Sequence, residues 1–166
     1  MQTLLTPWRF AYISETSLEP EGCFFCAAAK QPDDPQRLVV AVERHHLVML
    51  NRYPYTNGHL MVAPLLHLPN PAVVGEEARA EFWPLVLRCQ RVLQRAYDPD
   101  GFNMGINLGR AGGAGVPEHF HFHVVPRWSG DTNFMSVVAE TRLLPEEPET
   151  IRQKLLPLFE EEEGVD

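Results

Sequence analysis

Residues 118–126 read Glu-His-Phe-His-Phe-His-Val-Val-Pro, and within this stretch histidine and apolar residues alternate strictly. In an extended chain successive side chains point to opposite faces. The alternation therefore predicts a strand with His119, His121 and His123 on one face and Phe120, Phe122 and Val124 on the other. The apolar face can pack on a core, which leaves the imidazole face for chemistry. Along one strand, alternate imidazoles stand about 6–7 Å apart, a row across which phosphate groups could lie. Only 7 histidines occur in the chain, so three of them at period two is a pattern rather than a scatter.

Two chemistries suit such a row. His-x-His pairs on strands are common zinc ligands. Hydrolytic metal sites usually add a nearby carboxylate, however, and here Val124, Val125 and Pro126 follow. The other is nucleophilic catalysis, because a neutral imidazole exists near pH 7 and can form a covalent intermediate.

The segment resembles the signature of the histidine-triad (HIT) superfamily. The resemblance extends upstream to Leu50-Asn51-Arg52-Tyr53-Pro54-Tyr55-Thr56-Asn57-Gly58-His59, which continues to Pro64. Downstream it includes Arg127-Trp128-Ser129-Gly130-Asp131. The latter is similar to the branch of dinucleoside polyphosphate hydrolases and diadenosine tetraphosphate phosphorylases. The match spans about residues 20–145.

The resemblance implies an α+β fold: an antiparallel five-stranded sheet, one long helix, a C-terminal helix, and a homodimer with an extended sheet. It also implies cleavage of dinucleoside polyphosphates, with adenine nucleotides as substrate, through a nucleotidyl-histidine intermediate on His121. His123 would assist the leaving group and His59 would support the triad from the neighbouring strand. His119 would orient its neighbours or ligate a metal. Asn51 matches a position that binds ribose hydroxyls, and Asn107 one that contacts phosphate. Phe25 and Leu50 are candidates for lining a base pocket. The same nucleophile could serve a nucleoside phosphoramidate or adenylyl-conjugate hydrolase, and a nucleotide-sensing binding protein would use the same pocket without turnover.

Residues 109–118 carry four of the 11 glycines and directly precede the triad. Glycine lets backbone N–H groups approach phosphate closely. Gly113, Gly115 and Val116 are the candidates for such contacts. Many family members place Gln and then Ser or Thr just before the first triad histidine, whereas this chain has Gly115-Val116-Pro117-Glu118. Side-chain contacts therefore cannot be carried over, and backbone contacts are expected in their place. Arg52, Arg110 and Arg127 flank the motifs and could make the pocket locally favourable to anions.

Cys23 and Cys26 form a Cys-x-x-Cys pair. In a reducing compartment such a pair is more often metal-binding or redox-active than a structural disulfide. Zinc needs two further ligands. The resemblance places them at His67 and His119, giving a structural zinc site on Cys23, Cys26, His67 and His119. No organic cofactor is expected. Cys89 falls in a helical pattern and is read as a small buried apolar residue.

With 166 residues, 45% of them hydrophobic, and no apolar run of membrane-spanning length, a cytoplasmic protein with one core is expected. Net charge is −8 with a pI near 5.3, which disfavours a nucleic-acid-binding surface. Three regions are expected: an N-terminal docking segment over 1–20 with Trp8, Phe10 and Tyr12, the HIT domain over 21–145, and a C-terminal helix with an acidic tail over 146–166. Strands are expected at 37–42, 46–50, 59–63 and 102–108. A helix is expected from Glu76 to Tyr97, where Pro84 could kink it. Another is expected from Thr150 to Glu161, with the Glu160–Glu163 run solvated.

Overall fold

The apolar segments pair into one antiparallel sheet in the computed structural model, which describes residues 22–131 and 146–162. Its strands are β1 (Val39–Val42), β2 (His46–Leu50), β3 (Leu60–Pro64), β4 (Gly101–Ile106) and β5 (Phe122–Arg127). They lie in the order β1-β2-β3-β5-β4, and every neighbouring pair is antiparallel. The helices are α1 (Phe24–Lys30), α2 (Glu76–Tyr97) and α3 (Pro148–Glu162). The expected α+β class, five strands, long helix and C-terminal helix are all present. Trp8, Phe10, Tyr12, Thr132–Met135 and Glu163 lie outside the described residues.

Strands β2 and β3 are buried along their whole length because both faces of the sheet are covered. On one face Val48, Leu50, Leu60, Val62 and Val124 pack with Leu85, Val86, Val92 and Leu93 of α2 and with Ile151, Leu155 and Phe159 of α3. On the other, Leu47, Met49, Met61 and Ala63 pack with Phe25 and Ala28 of α1. This two-sided burial explains why these strands read as continuous apolar runs rather than alternating ones.

Several boundaries move for local reasons. β1 starts at Val39 rather than at residue 37, because Pro35–Arg37 forms a 3-10 turn and Leu38 follows with φ 60°. Asp34 caps that turn by accepting from the Gln36 N–H at 3.0 Å. β3 begins after His59, and β4 runs from Gly101 and stops at Ile106. α2 matches its expected bounds and continues through Pro84. Gly58, with φ +73°, turns β2 into β3, and a Cβ there would sit 2.9 Å from Leu93 Cδ2. Only glycine lets α2 pack this closely on the turn that delivers His59.

The acidic run near the C-terminus is not simply solvated. Glu161 and Glu162 pair with Arg95, and Glu162 also pairs with Arg91. Such exposed pairs contribute little individually, but they align α3 along α2. The buried Arg88 holds Glu43 at 2.6 Å and donates to the Phe159 carbonyl. Cys89 is fully buried, as expected for a small apolar residue, and burial pushes its thiol up to about 12.

Candidate active site and metal cluster

The triad does not lie along one strand. β5 begins at Phe122, so only His123 is in it. His119 and His121 belong to the segment entering β5, where the Phe120 N–H donates to the Leu68 carbonyl at 2.8 Å. Their rings are not on an open face: His119 is completely buried and His121 is 2% exposed. The ring centroids of His121 and His123 are 4.9 Å apart and edge-on, closer than a flat strand would place them. Burial of the first two rings goes with the covering of that sheet face by α1. Phe25 packs against His119 and His121, with centroids at 5.0 and 4.8 Å.

Backbone contacts assign the protons on these rings. His121 Nδ1 lies 3.1 Å from the His119 carbonyl oxygen. It must donate there, so Nε2 carries the lone pair. Burial pushes the His121 pKa down, which keeps the ring neutral and nucleophilic. On the neighbouring strand, the Tyr55 N–H donates to His59 Nδ1 at 3.1 Å. The His59 proton is therefore on Nε2, which lies 2.9 Å from His123 Nδ1. His123 Nδ1 accepts, so His123 carries its proton on Nε2. One imidazole is thus set as a lone-pair donor, and the adjacent one as an N–H donor.

β3 and β5 bring these groups together through the pairing of Met61 with His123. Tyr55, which the motif reading passed over, stacks on His59 with centroids 4.8 Å apart and stays 41% exposed. An aromatic residue in the turn just before Gly58-His59 was the available signal. Asn51 is buried beside the same network: Oδ1 accepts from the Tyr53 N–H at 2.9 Å, and Nδ2 is 3.4 Å from His59 Nδ1. Asn107 follows Ile106, which pairs with Phe122. Asn107 and His121 are thus the residues that flank the last β4–β5 pair.

In the glycine-rich loop, the Gly113 N–H is bonded to the Arg110 carbonyl at 3.0 Å and the Ala114 N–H to the Gly109 carbonyl at 3.1 Å. The Gly113 amide is therefore tied within the loop. Among the described residues, the amides of Gly115 and Val116 donate to no backbone carbonyl. Arg127 is also committed: it forks onto Asp131 at 2.5 and 2.7 Å and reaches Asn103 at 2.5 Å. The Arg-Trp-Ser-Gly-Asp motif thus closes a turn, with Gly130 at φ +80°. Arg52 bonds the Gln36 carbonyl, while Arg110 is exposed. Phe25 and Leu50 cannot share a base pocket, because they are buried on opposite faces of the sheet.

Cys23, Cys26, His67 and His119 converge, with their ligand atoms all within 4.8 Å of one another. Cys23 Sγ and Cys26 Sγ lie 3.3 and 3.6 Å from His119 Nδ1, and Cys26 Sγ lies 3.3 Å from His67 Nδ1. Tetrahedral bond lengths of about 2.3 Å to sulfur and about 2.0 Å to nitrogen require S···N separations near 3.6 Å. The residues present fit such an ion. His119 Nε2–H donates to the Pro64 carbonyl at 2.8 Å, leaving Nδ1 as the ligand nitrogen and fixing the ring's aim. His119 is neutral as ligation requires, because burial first, with His67 and His121 nearby, brings its pKa down to about 4. The orienting and ligating roles, alternatives at the level of sequence, fall on different atoms of His119 and are compatible.

A paired imidazole site with a Cys2His2 cluster at its base can be compared with known proteins. AP-4-A phosphorylase of Mycobacterium tuberculosis is 34% identical over 152 residues, spanning 88% of this chain and 78% of that protein. Bis(5'-adenosyl)-triphosphatase of Dictyostelium discoideum is 30% identical over 120 residues, spanning 68% of this chain and 79% of the relative. A solved structure described as a Zn-bound histidine triad family protein from Mycobacterium smegmatis superposes with TM-score 0.69 at 26% identity. It covers 88% of this chain and 99% of its own. Residues 33–130 match the HIT domain, so the sheet, the triad and the sequence likeness agree that this chain belongs to the HIT family.

Proposed function

We propose that the protein cleaves dinucleoside polyphosphates such as diadenosine tetraphosphate by transferring a nucleotidyl group to His121. The observation that carries this reading is the fixed tautomer of His121, donating Nδ1–H to the His119 carbonyl at 3.1 Å beside the N–H donor of His123. The Nε2 lone pair attacks the α-phosphorus, a phosphorus–nitrogen bond forms, and the bond to the bridging oxygen breaks. A neutral nucleophile avoids the repulsion that phosphate oxygens exert on anions. The leaving nucleotide departs as a phosphate oxyanion, and His123 Nε2–H stabilises the developing charge. His59 holds His123 in the tautomer that can do so. In the second step an acceptor oxygen bonds to phosphorus, and the electron pair of the phosphorus–nitrogen bond returns to Nε2. Splitting one displacement into two lowers each barrier. The Gly115 and Val116 amides and Asn107 are read as phosphate contacts, and Asn51 as the ribose contact.

The name of the M. tuberculosis relative supports inorganic phosphate as acceptor. Incubation with diadenosine tetraphosphate, with and without phosphate, distinguishes the routes by chromatography. ADP plus ATP, dependent on phosphate, is the expected result. AMP plus ATP would assign water as acceptor, and intact substrate in both arms would overturn the reading.

The ion of the cluster is read as zinc. Two thiolates and two imidazoles make a closed tetrahedral set that suits it, and the M. smegmatis neighbour is described as Zn-bound. Bound there, it would supply structural closure and no Lewis-acid chemistry. The protein is further read as a cytoplasmic homodimer. Among the described residues no helix is long and apolar enough to cross a membrane. β4 ends one edge of the sheet, and Trp83, which packs against Phe122 of β5, is 50% exposed. Equilibrium sedimentation should return twice the chain mass, and a concentration-independent monomer would exclude the dimer.

A further inference from the structure

Phe25 sits between the two cysteines of the cluster, and its ring is completely buried. It touches the two histidines that matter most, with centroids 5.0 Å from His119 and 4.8 Å from His121. The helix that carries it, α1, has 7 residues and no side-chain cap. A helix this short has little stability of its own, so its place depends on packing and on whatever anchors its ends. Cys23, at its N-cap position, and Cys26, in its first turn, both reach His119 Nδ1. His119 in turn supplies the carbonyl that accepts from His121 Nδ1. One cluster thus anchors both the ring that packs on the His121 imidazole and the carbonyl that selects its tautomer.

We propose that Phe25 is a positioning residue coupling the Cys23, Cys26, His67 and His119 cluster to the reacting nitrogen of His121. With the cluster closed, Phe25 and the His119 carbonyl hold the imidazole with Nε2 as the lone-pair atom. With the cluster open, α1 and His119 lose their common anchor. The His121 ring can then rotate or exchange its proton between nitrogens, and molecules with the proton on Nε2 have no nucleophile at that atom. The cluster therefore acts on turnover through geometry while taking no part in bond cleavage. The turnover arm of this inference rests on the nucleotidyl-transfer reading above, whereas the tautomer arm does not.

The test uses the full chain with 15N-labelled histidine and needs no substrate for its main readout. His121 is assigned by the signal that disappears in His121→Asn. Metal-loaded wild type should show His121 as a single Nδ1–H tautomer. Removing the metal with a chelator should give a mixture, and His67→Ala, which opens the cluster without altering Phe25 or His121, should do the same. Phe25→Leu should keep one metal per chain yet show the mixed tautomer. It should also lower kcat roughly 10-fold with KM changed by less than about 2-fold, as expected when a reacting group is misaligned and substrate binding is intact. A single tautomer and wild-type kcat in Phe25→Leu would overturn the proposal. So would a chelated protein that stays folded by circular dichroism and keeps one tautomer. Should chelation unfold the chain, the metal-retaining Phe25→Leu variant decides. If wild type turns over no dinucleotide, the proposed function falls, while the tautomer comparison still decides the coupling.

Discussion

Replacing His121 with alanine should lower kcat on diadenosine tetraphosphate by on the order of 10³-fold or more, because the proposed nucleophile is gone. The ring is 2% exposed and packs on Phe25. Its removal therefore leaves a cavity and should cost about 1–3 kcal/mol of stability. His121→Asn is the better-shaped partner variant, and it should be equally inactive while melting closer to wild type. Residual activity above a few per cent in both variants would exclude His121 as nucleophile. Direct trapping separates that role from mere support of His123. Substrate labelled at the α-phosphate should leave label on wild-type protein after an alkaline quench and much less after an acid quench, since phosphorus–nitrogen bonds are acid-labile. Rapid turnover with no labelled protein at alkaline pH would indicate direct attack by the acceptor.

Cys23→Ser should abolish binding of the single metal ion expected per chain. The cluster joins α1, the segment after β3 and the entry to β5, through residues 23, 26, 67 and 119. Its closure links parts of the chain far apart in sequence, and binding free energy at such a site is folding free energy. Loss of about 3 kcal/mol or more would lower the melting temperature by roughly 6–12 °C for a chain of this size. Differential scanning calorimetry beside elemental analysis reads both quantities. Protein purified without chelator that contains no metal and melts unchanged after Cys23→Ser would remove the structural role.

Much of this was legible one residue at a time. The run Phe82, Leu85, Val86, Cys89, Val92, Leu93 and Ala96 recurs at helical spacing, and the helix appears with the bounds it predicts. The Cys23 and Cys26 pair was nameable from its own donor chemistry and spacing, whereas the family resemblance supplied the five-stranded sheet and His67 and His119 as the further ligands. The alternating histidines were legible as a chemical site but not as a shape. Period two describes only the local backbone, and the chain becomes a strand at Phe122, after two of the three.

What the sequence leaves open is set by distant neighbours. Whether His123 presents Nδ1 or Nε2 depends on His59, 64 residues away in the chain, and on the Tyr55 amide behind it. That His119 can aim its ring at the cysteines and its carbonyl at His121 depends on the Pro64 carbonyl and on the fold of α1 over the sheet. Phe25 looks like any core aromatic until its ring is found against both histidines. Residue types and their periodicity determine which elements form and what chemistry is on offer. Tautomers, burial and the sharing of one residue between two sites are properties of contacts across the sheet, and only the assembled chain makes those contacts.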